Sequence, residues 1–285
     1  MGTALSRVEV DAYRERGYHL KVKAFSADEA GELNRRFEES EKRAGASLSS
    51  GLLNVKPHLI FPWLDAVVRD ARILDAVESI LGPDLLCFGG TFFNKGPGDG
   101  TYVSWHQDAT YWGLAKPEVV TAWVALTPSN ELAGCMRVVP GSHLTQLKHH
   151  DTFAAKNLLT RGQEIEAKVD ESQAVDFILE PGEVSLHHVL IVHGSGSNRA
   201  SWPRRGFAVR YMPTSLKPAE GRGSSALLVR GTDRFKYHLE EVSPQSELHP
   251  DAVAHHKAMA EYSLKGLYQS ADKPIPAARL ATRQG

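Results

Sequence analysis

His106, Asp108 and His193 are the side chains whose types and spacing could do chemistry together. Trp105-His106-Gln107-Asp108 sets an imidazole and a carboxylate two residues apart. On an extended segment such residues face the same way, so the pair can hold one ion while Gln107 points elsewhere. A third donor must come from downstream, and His193, 85 residues after Asp108, stands in Val192-His193-Gly194-Ser195-Gly196-Ser197-Asn198. Two imidazoles and one carboxylate on one face of a metal, with the other positions open, suit non-haem Fe(II) oxygen chemistry. A bare His-x-Asp is a weak signal. Here Trp105, Tyr111 and Trp112 flank it, as in a lined pocket. The small residues after His193 allow close backbone approach. Arg204, eleven residues beyond His193, could offer a two-pronged fork to a carboxylate.

Other side chains compete for roles. Lys56 and His58 precede a helix and could close over a pocket. Arg210 could meet a substrate anion or pair with a carboxylate. His187-His188 is read as packing or solvated, with a hydrogen bond to a ligand as the alternative. His143 reads as structural and Arg205 as surface. His149-His150 and His255-His256 read as solvated, since neighbours on a helix do not share a face.

Elements must position these groups. Residues 8–18 suggest a short amphipathic helix and Gly17 to Val22 a strand. Ser26 to Glu29 is a capping box opening a helix to about 44, and a second helix covers about 63–81, stopped by Gly82-Pro83. The period then changes. Strands are predicted at 85–94, 119–126, 137–139, 175–179, 184–188 and 207–212. Gly96 to Gly100 forms a loop after the first of them, and Glu180-Pro181-Gly182-Glu183 joins two of them as a reverse turn. Residues 144–172 read as a polar, irregular excursion of the kind that serves as a functional flap. Residues 215–245 read as loop, Pro250 to Leu267 as a helix, and 270–285 as a mobile tail. Helices first and then many short strands suggest a mainly β sandwich or barrel with helices on one side. The absence of βαβ alternation argues against a dinucleotide-binding fold.

Composition bounds the rest. At 285 residues with 42% apolar content, one large domain with a full core is expected. Lys plus Arg (33) nearly balances Asp plus Glu (34), which gives no electrostatic case for nucleic-acid or membrane binding. Two cysteines without metal spacing, no apolar run near the ~20 residues of a membrane span and no signal-peptide pattern point to the cytoplasm. Oligomeric state is not legible.

Together, His106-x-Asp108, His193-Gly-Ser-Gly-x-Asn198 and Arg204 resemble the phytanoyl-CoA dioxygenase family of Fe(II)/2-oxoglutarate oxygenases. Pro140-Gly141-Ser142-His143, Pro181-Gly182-Glu183 and Gly17-Tyr18 add to the likeness, which runs from about residue 8 to 213. The resemblance implies a double-stranded β-helix, a cupin-like jelly roll, as a single oxygenase domain. Its core would span about 85–213, after a helical part at about 1–82 and before a C-terminal helix and tail at about 246–285. It implies His106, Asp108 and His193 as iron ligands, Arg204 as the 2-oxoglutarate arginine, and Ser195 and Trp123 near that cosubstrate. The implied activity is hydroxylation of a small-molecule metabolite with O2, releasing succinate and CO2. Retention of Asp108 favours hydroxylation over halogenation. Lys56, His58, Tyr111, Trp112 and Arg210 are the candidate substrate contacts. Two readings stay open beside it: a metal cupin enzyme that does not use 2-oxoglutarate, and a non-catalytic jelly-roll binding module.

Overall fold

The computed structural model describes residues 4–109 and 112–269; Tyr111 and the predicted tail at 270–285 lie outside them. Helix α1 (Arg7–Arg16) opens on a Ser6/Glu9 capping box and ends at Gly17. Strand β1 (Tyr18–Lys23) follows, and then α2 (Ala27–Ala44), with the predicted Ser26/Glu29 box in place. The helix expected at 63–81 is two helices, α3 (Pro62–Val68) and α4 (Ala71–Leu81). The break falls at Asp70, whose carboxylate accepts from the Arg72 N–H and so caps a new helix in mid-run.

The strands are β2 (Leu85–Lys95), β3 (Val103–His106), β4 (Val120–Ala125), β5 (Arg137–Val139), β6 (His149–Asp151), β7 (Gln163–Ile165), β8 (Val175–Asp176), β9 (Glu183–His188), β10 (Val192–Ser195), β11 (Arg204–Pro213), β12 (Ser225–Arg230) and β13 (Leu239–Glu240). They form a seven-stranded sheet, β1-β9-β4-β11-β2-β12-β13, a four-stranded sheet, β3-β10-β5-β8, and a β6-β7 pair. This is the jelly-roll arrangement expected. Helix α5 (Pro250–Tyr268) closes the described chain.

The reverse turn expected at 180–183 is present, closed by the Glu183 N–H on the Glu180 carbonyl at 3.0 Å. The strands it joins lie in different sheets: β8 pairs with β5 in the small sheet, and β9 pairs with β4 and β1 in the large one. The turn passes the chain from one sheet to the other, and it needs Gly182, where φ is +90° and a Cβ would strike the Phe25 carbonyl oxygen. The stretch 215–245 is not all loop, since β12 pairs with β2. Its Ala226-Leu227-Leu228-Val229 run is a short continuous apolar segment without alternation, so periodicity gave no strand signal.

Alternation on the large sheet places the site. Val120, Ala122 and Val124, with Phe207, Val209 and Tyr211, join the core packed against the N-terminal helices. Their neighbours Thr121, Trp123, Ala208 and Arg210 face the other way and line a cavity, as does Arg204. Arg204, Gly206, Ala208 and Arg210 share one face because their numbers share a parity.

Candidate metal and cosubstrate site

His106 and His193 are register partners where β3 meets β10. Their rings lie 4.0 Å apart, centroid to centroid. Each imidazole is fixed by its own backbone: His106 Nδ1 lies 2.9 Å from the Ser104 carbonyl oxygen and His193 Nδ1 3.0 Å from that of Ile191. A carbonyl can only accept, so Nδ1 carries the proton in both rings and Nε2 is left with a lone pair for a metal. Asp108 follows β3 and brings Oδ1 to 3.4 Å from His106 Nε2. One donor atom from each of the three residues lies within 4.8 Å of the others. Burial alone would raise the Asp108 carboxyl, but its neighbours His106, His193 and Arg210 hold it well below the usual carboxylate range. Burial and the neighbouring His106 push His193 well below its ordinary value, so it is neutral. An ionised carboxylate with neutral imidazole is the donor state that binds Fe(II).

Gln107 does point elsewhere, and it clamps two loops. Its Nε2 donates to the carbonyls of Thr145 (2.8 Å) and Leu190 (2.6 Å), and its Oε1 accepts from the Leu147 N–H. His149, read from sequence as solvated, is half-buried, and its Nε2 accepts from the Gln107 backbone N–H at 2.9 Å. His256 is a second correction: it is buried on α5 and holds the Val55 carbonyl at 2.7 Å. Adjacency on a helix separated the two histidines there, but it put one of them inside.

Across the cavity, the inner face of the large sheet supplies the other wall. Arg204 is 2% exposed, with its guanidinium carbon 4.6 Å from the centre of the Trp123 ring. Gly206 makes room for that indole, since a Cβ there would overlap the ring. Burial pushes the Arg204 guanidinium down to about 10. Among the described residues no carboxylate pairs with it, and its Nε has no hydrogen-bond partner. Thr121 Oγ1, His187 Nδ1 and Arg210 Nε on the same face are also buried without partners. Buried polar groups are normally satisfied, so four orphans around one cavity mark a place for a ligand.

The family model for phytanoyl-CoA dioxygenase (PhyH) matches residues 2–206. The chain belongs to the phytanoyl-CoA dioxygenase family. It is 26% identical over 242 residues to a probable alpha-ketoglutarate-dependent hypophosphite dioxygenase of Stutzerimonas stutzeri, covering 77% of this chain and 84% of that one. It is 29% identical over 161 residues to the peroxisomal phytanoyl-CoA dioxygenase of Rattus norvegicus, covering 54% of this chain but only 47% of that protein. Among solved structures, a non-heme monooxygenase, ThoJ in its apo form, superposes with a TM-score of 0.80 at 33% identity, covering 91% and 97% of the two chains. CytC3 with Fe(II) and alpha-ketoglutarate gives 0.65 at 26% identity, covering 88% and 98%. The chain is thus an Fe(II)- and 2-oxoglutarate-dependent dioxygenase.

The residues present in this PhyH-family oxygenase fit both groups. The His106, Asp108 and His193 set can take iron, and Arg204 can take a carboxylate at the far side of the same cavity. Ser195 and Trp123 line that cavity too. Sequence reasoning missed Lys95, which lies buried behind Ser195. Its Nζ donates to Ser195 Oγ at 2.6 Å and to the Gly134 carbonyl at 3.2 Å. Burial and the charge of Arg204 press it down to about 6. Nothing in the sequence marked it, since it follows Asn94 at the very end of β2, outside the expected strand.

The proposed substrate contacts divide. Trp112 and Arg210 line a second, larger cavity that adjoins the first. Lys56 lines it as well, but its ammonium is 2.7 Å from the Phe88 carbonyl, 3.0 Å from that of Ser225 and 2.5 Å from Glu241 Oε1. An ammonium has three protons, so none is left for a substrate. His58 lies beneath this cluster, fully buried, with Nε2 3.9 Å from Glu241 Oε2. The sequence could not show Glu241, whose 185-residue separation from Lys56 hides the pair. Arg205, read as surface, has a side chain only 12% exposed, packed over the Phe37 ring and bonded to Asn34 and Glu38.

Proposed function

We propose that this oxygenase hydroxylates a small-molecule metabolite, with His106, Asp108 and His193 holding the iron and Arg204 holding the far carboxylate of 2-oxoglutarate. The observation that carries the reading is the pairing of a neutral-imidazole and carboxylate donor set with an unpaired buried guanidinium across one cavity. Bound together, Fe(II) and 2-oxoglutarate supply oxidative decarboxylation to succinate and CO2, coupled to transfer of oxygen to substrate carbon. The protein's part is orientation. The Ser104 and Ile191 carbonyls fix the histidine tautomers, Gln107 and His149 hold the Asp108 segment, and Trp123 keeps the Arg204 fork flat. Lys95, bonded to Ser195 Oγ at 2.6 Å, fixes that hydroxyl in the cavity wall. Burial excludes water that would compete for these groups.

Residues from 49 to 267 line the larger cavity, which supports treating 1–285 as one oxygenase domain. No helix among the described residues is long and apolar enough to cross a membrane. The near-zero net charge supports a metabolite over nucleic acid as the partner, and the free, buried cysteines support a cytoplasmic site.

Anaerobic titration with Fe(II) and 2-oxoglutarate tests the site. A visible charge-transfer band is expected in the wild type and is expected to weaken strongly in Asp108→Ala and in Arg204→Ala. No band from folded protein would sink the reading.

A further inference from the structure

The larger cavity encloses about 430 Å³ and meets the metal pocket at Phe93, Asp108 and Arg210, which line both. That is room for a drug-sized molecule rather than a few atoms. Three charged side chains line it among the described residues: Lys56, Asp108 and Arg210. Lys56 is committed to Glu241, and Asp108 belongs to the metal triad. Arg210 is different. It is 9% exposed, its Nε has no partner, and its Nη1 reaches only the Ala208 carbonyl at 3.3 Å. Its guanidinium carbon lies 5.6 Å from the Trp112 ring centre and 6.0 Å from that of Phe93, so the fork is held between two rings at the inner end of the cavity. The remaining wall is uncharged. Ser49, Thr160 and Ser263 offer hydroxyl groups, and Phe88 and Leu264 offer apolar surface.

Two glycines open this space without a backbone reason. Gly89 lies on β2 and Gly266 on α5, and neither has a positive φ. A Cβ at Gly89 would meet only Lys56 Cγ, at 3.8 Å, and one at Gly266 only the Gly223 carbonyl oxygen, at 3.9 Å. Both are ordinary contacts, and glycine is unfavourable in both a strand and a helix. What the missing side chains leave is cavity.

We propose that the substrate is a medium-sized, otherwise uncharged organic molecule carrying one anionic group, bound by Arg210 beside the metal triad, with Gly89 and Gly266 setting the room for its body. This rests on the oxygenase reading above and narrows its substrate. A coenzyme A ester would need several cations for its phosphates, and among the described residues only one uncommitted cation, Arg210, lines the cavity. A cationic or zwitterionic substrate would need an uncommitted carboxylate, and none lines the cavity among the described residues. A bare inorganic anion would satisfy Arg210 and leave the rest to water.

A pair of fluorescent dyes tests this. Anilinonaphthalene sulfonate has an aryl body and one anion, and N-phenylnaphthylamine is the same body without the sulfonate. Each is titrated into the Fe(II)- and 2-oxoglutarate-loaded protein under argon, after the charge-transfer band has been recorded. One sulfonate dye per chain is expected, bound more tightly than the neutral dye. Arg210→Met should weaken the sulfonate dye by about tenfold or more, the scale of a lost charged hydrogen bond, and leave the neutral dye nearly unchanged. Gly89→Phe should abolish both. An unchanged sulfonate affinity in folded Arg210→Met, or a wild type that prefers the neutral dye, overturns the anion assignment. Retention of both dyes by folded Gly89→Phe, or no dye binding at all, overturns the cavity assignment. The wild-type preference stands as a test even if a variant does not fold. A missing band with the expected dye pattern would instead overturn the oxygenase reading alone.

Discussion

Lys56 and Arg204 are each buried to within a few per cent, 3% and 2% exposed, yet their surroundings are opposite. Lys56 meets Glu241 and two carbonyls, which take its three protons. Arg204 meets an indole and empty space, with its Nε unpartnered. A buried charge that is fully paired holds elements together, here the loop before α3, β12 and the segment after β13. A buried charge that is unpaired costs free energy unless something is brought to it. The contrast separates structure from function at two residues that look alike in the sequence.

The largest expected effect is on the paired side. Glu241→Gln leaves the Lys56 ammonium buried without a counter-charge, which should destabilise the fold by about 3–5 kcal/mol. Urea unfolding measures it. Restoring stability with Lys56→Met in the same chain would confirm that the loss is electrostatic. If Glu241→Gln costs nothing, the cluster is not structural and the comparison breaks.

Acid titration probes the same pair. Burial would raise the Glu241 carboxyl, but Lys56 and His58 lower it from 4.5 to about 2. A carboxylate depressed in the folded state contributes stability that is present above pH 4.5 and is lost as pH falls toward 2. On the order of 3 kcal/mol should disappear across that window, and Glu241→Gln should not show this dependence. Equal acid sensitivity of the two proteins would place the titrating group elsewhere.

On the unpaired side, Arg204→Met should weaken 2-oxoglutarate binding by roughly a hundredfold, the scale of losing charge-assisted hydrogen bonds. Its melting temperature without cosubstrate should hold or rise, because an uncompensated buried charge has been removed. A large fall in stability would show that Arg204 is structural after all. The smallest effect belongs to Lys95→Met, with about tenfold weaker 2-oxoglutarate binding through a less well oriented Ser195. Ser195→Ala added to it should then change little further, and an additive loss would separate the two residues.

Much of this was legible in the sequence for a local reason. The Ser26 and Glu29 cap, the period of α2 and the alternation along β4 and β11 are set by neighbours within a few residues. Alternation along the expected strand 207–212 puts Arg210 on one face with Ala208, the structure extends that strand back to Arg204, and the i, i+2 rule puts His106 and Asp108 together. The misreadings share a cause as well. β12 joining the sheet edge, His149 and His256 turned inward and the Asp70 cap breaking one expected helix into two all depend on what lies across the fold.

By itself the sequence determined the donor types, their spacing and the faces they occupy, because backbone periodicity converts position into direction. Only the tertiary structure decided which of the buried cations are answered. Lys56 finds Glu241 185 residues away, while Arg204 finds none of the described carboxylates and Arg210 feels only the more distant charge of Asp108. Pairing across such a separation is fixed by packing, and no local pattern encodes it. It is also what decides which charge holds the fold and which is left for a ligand.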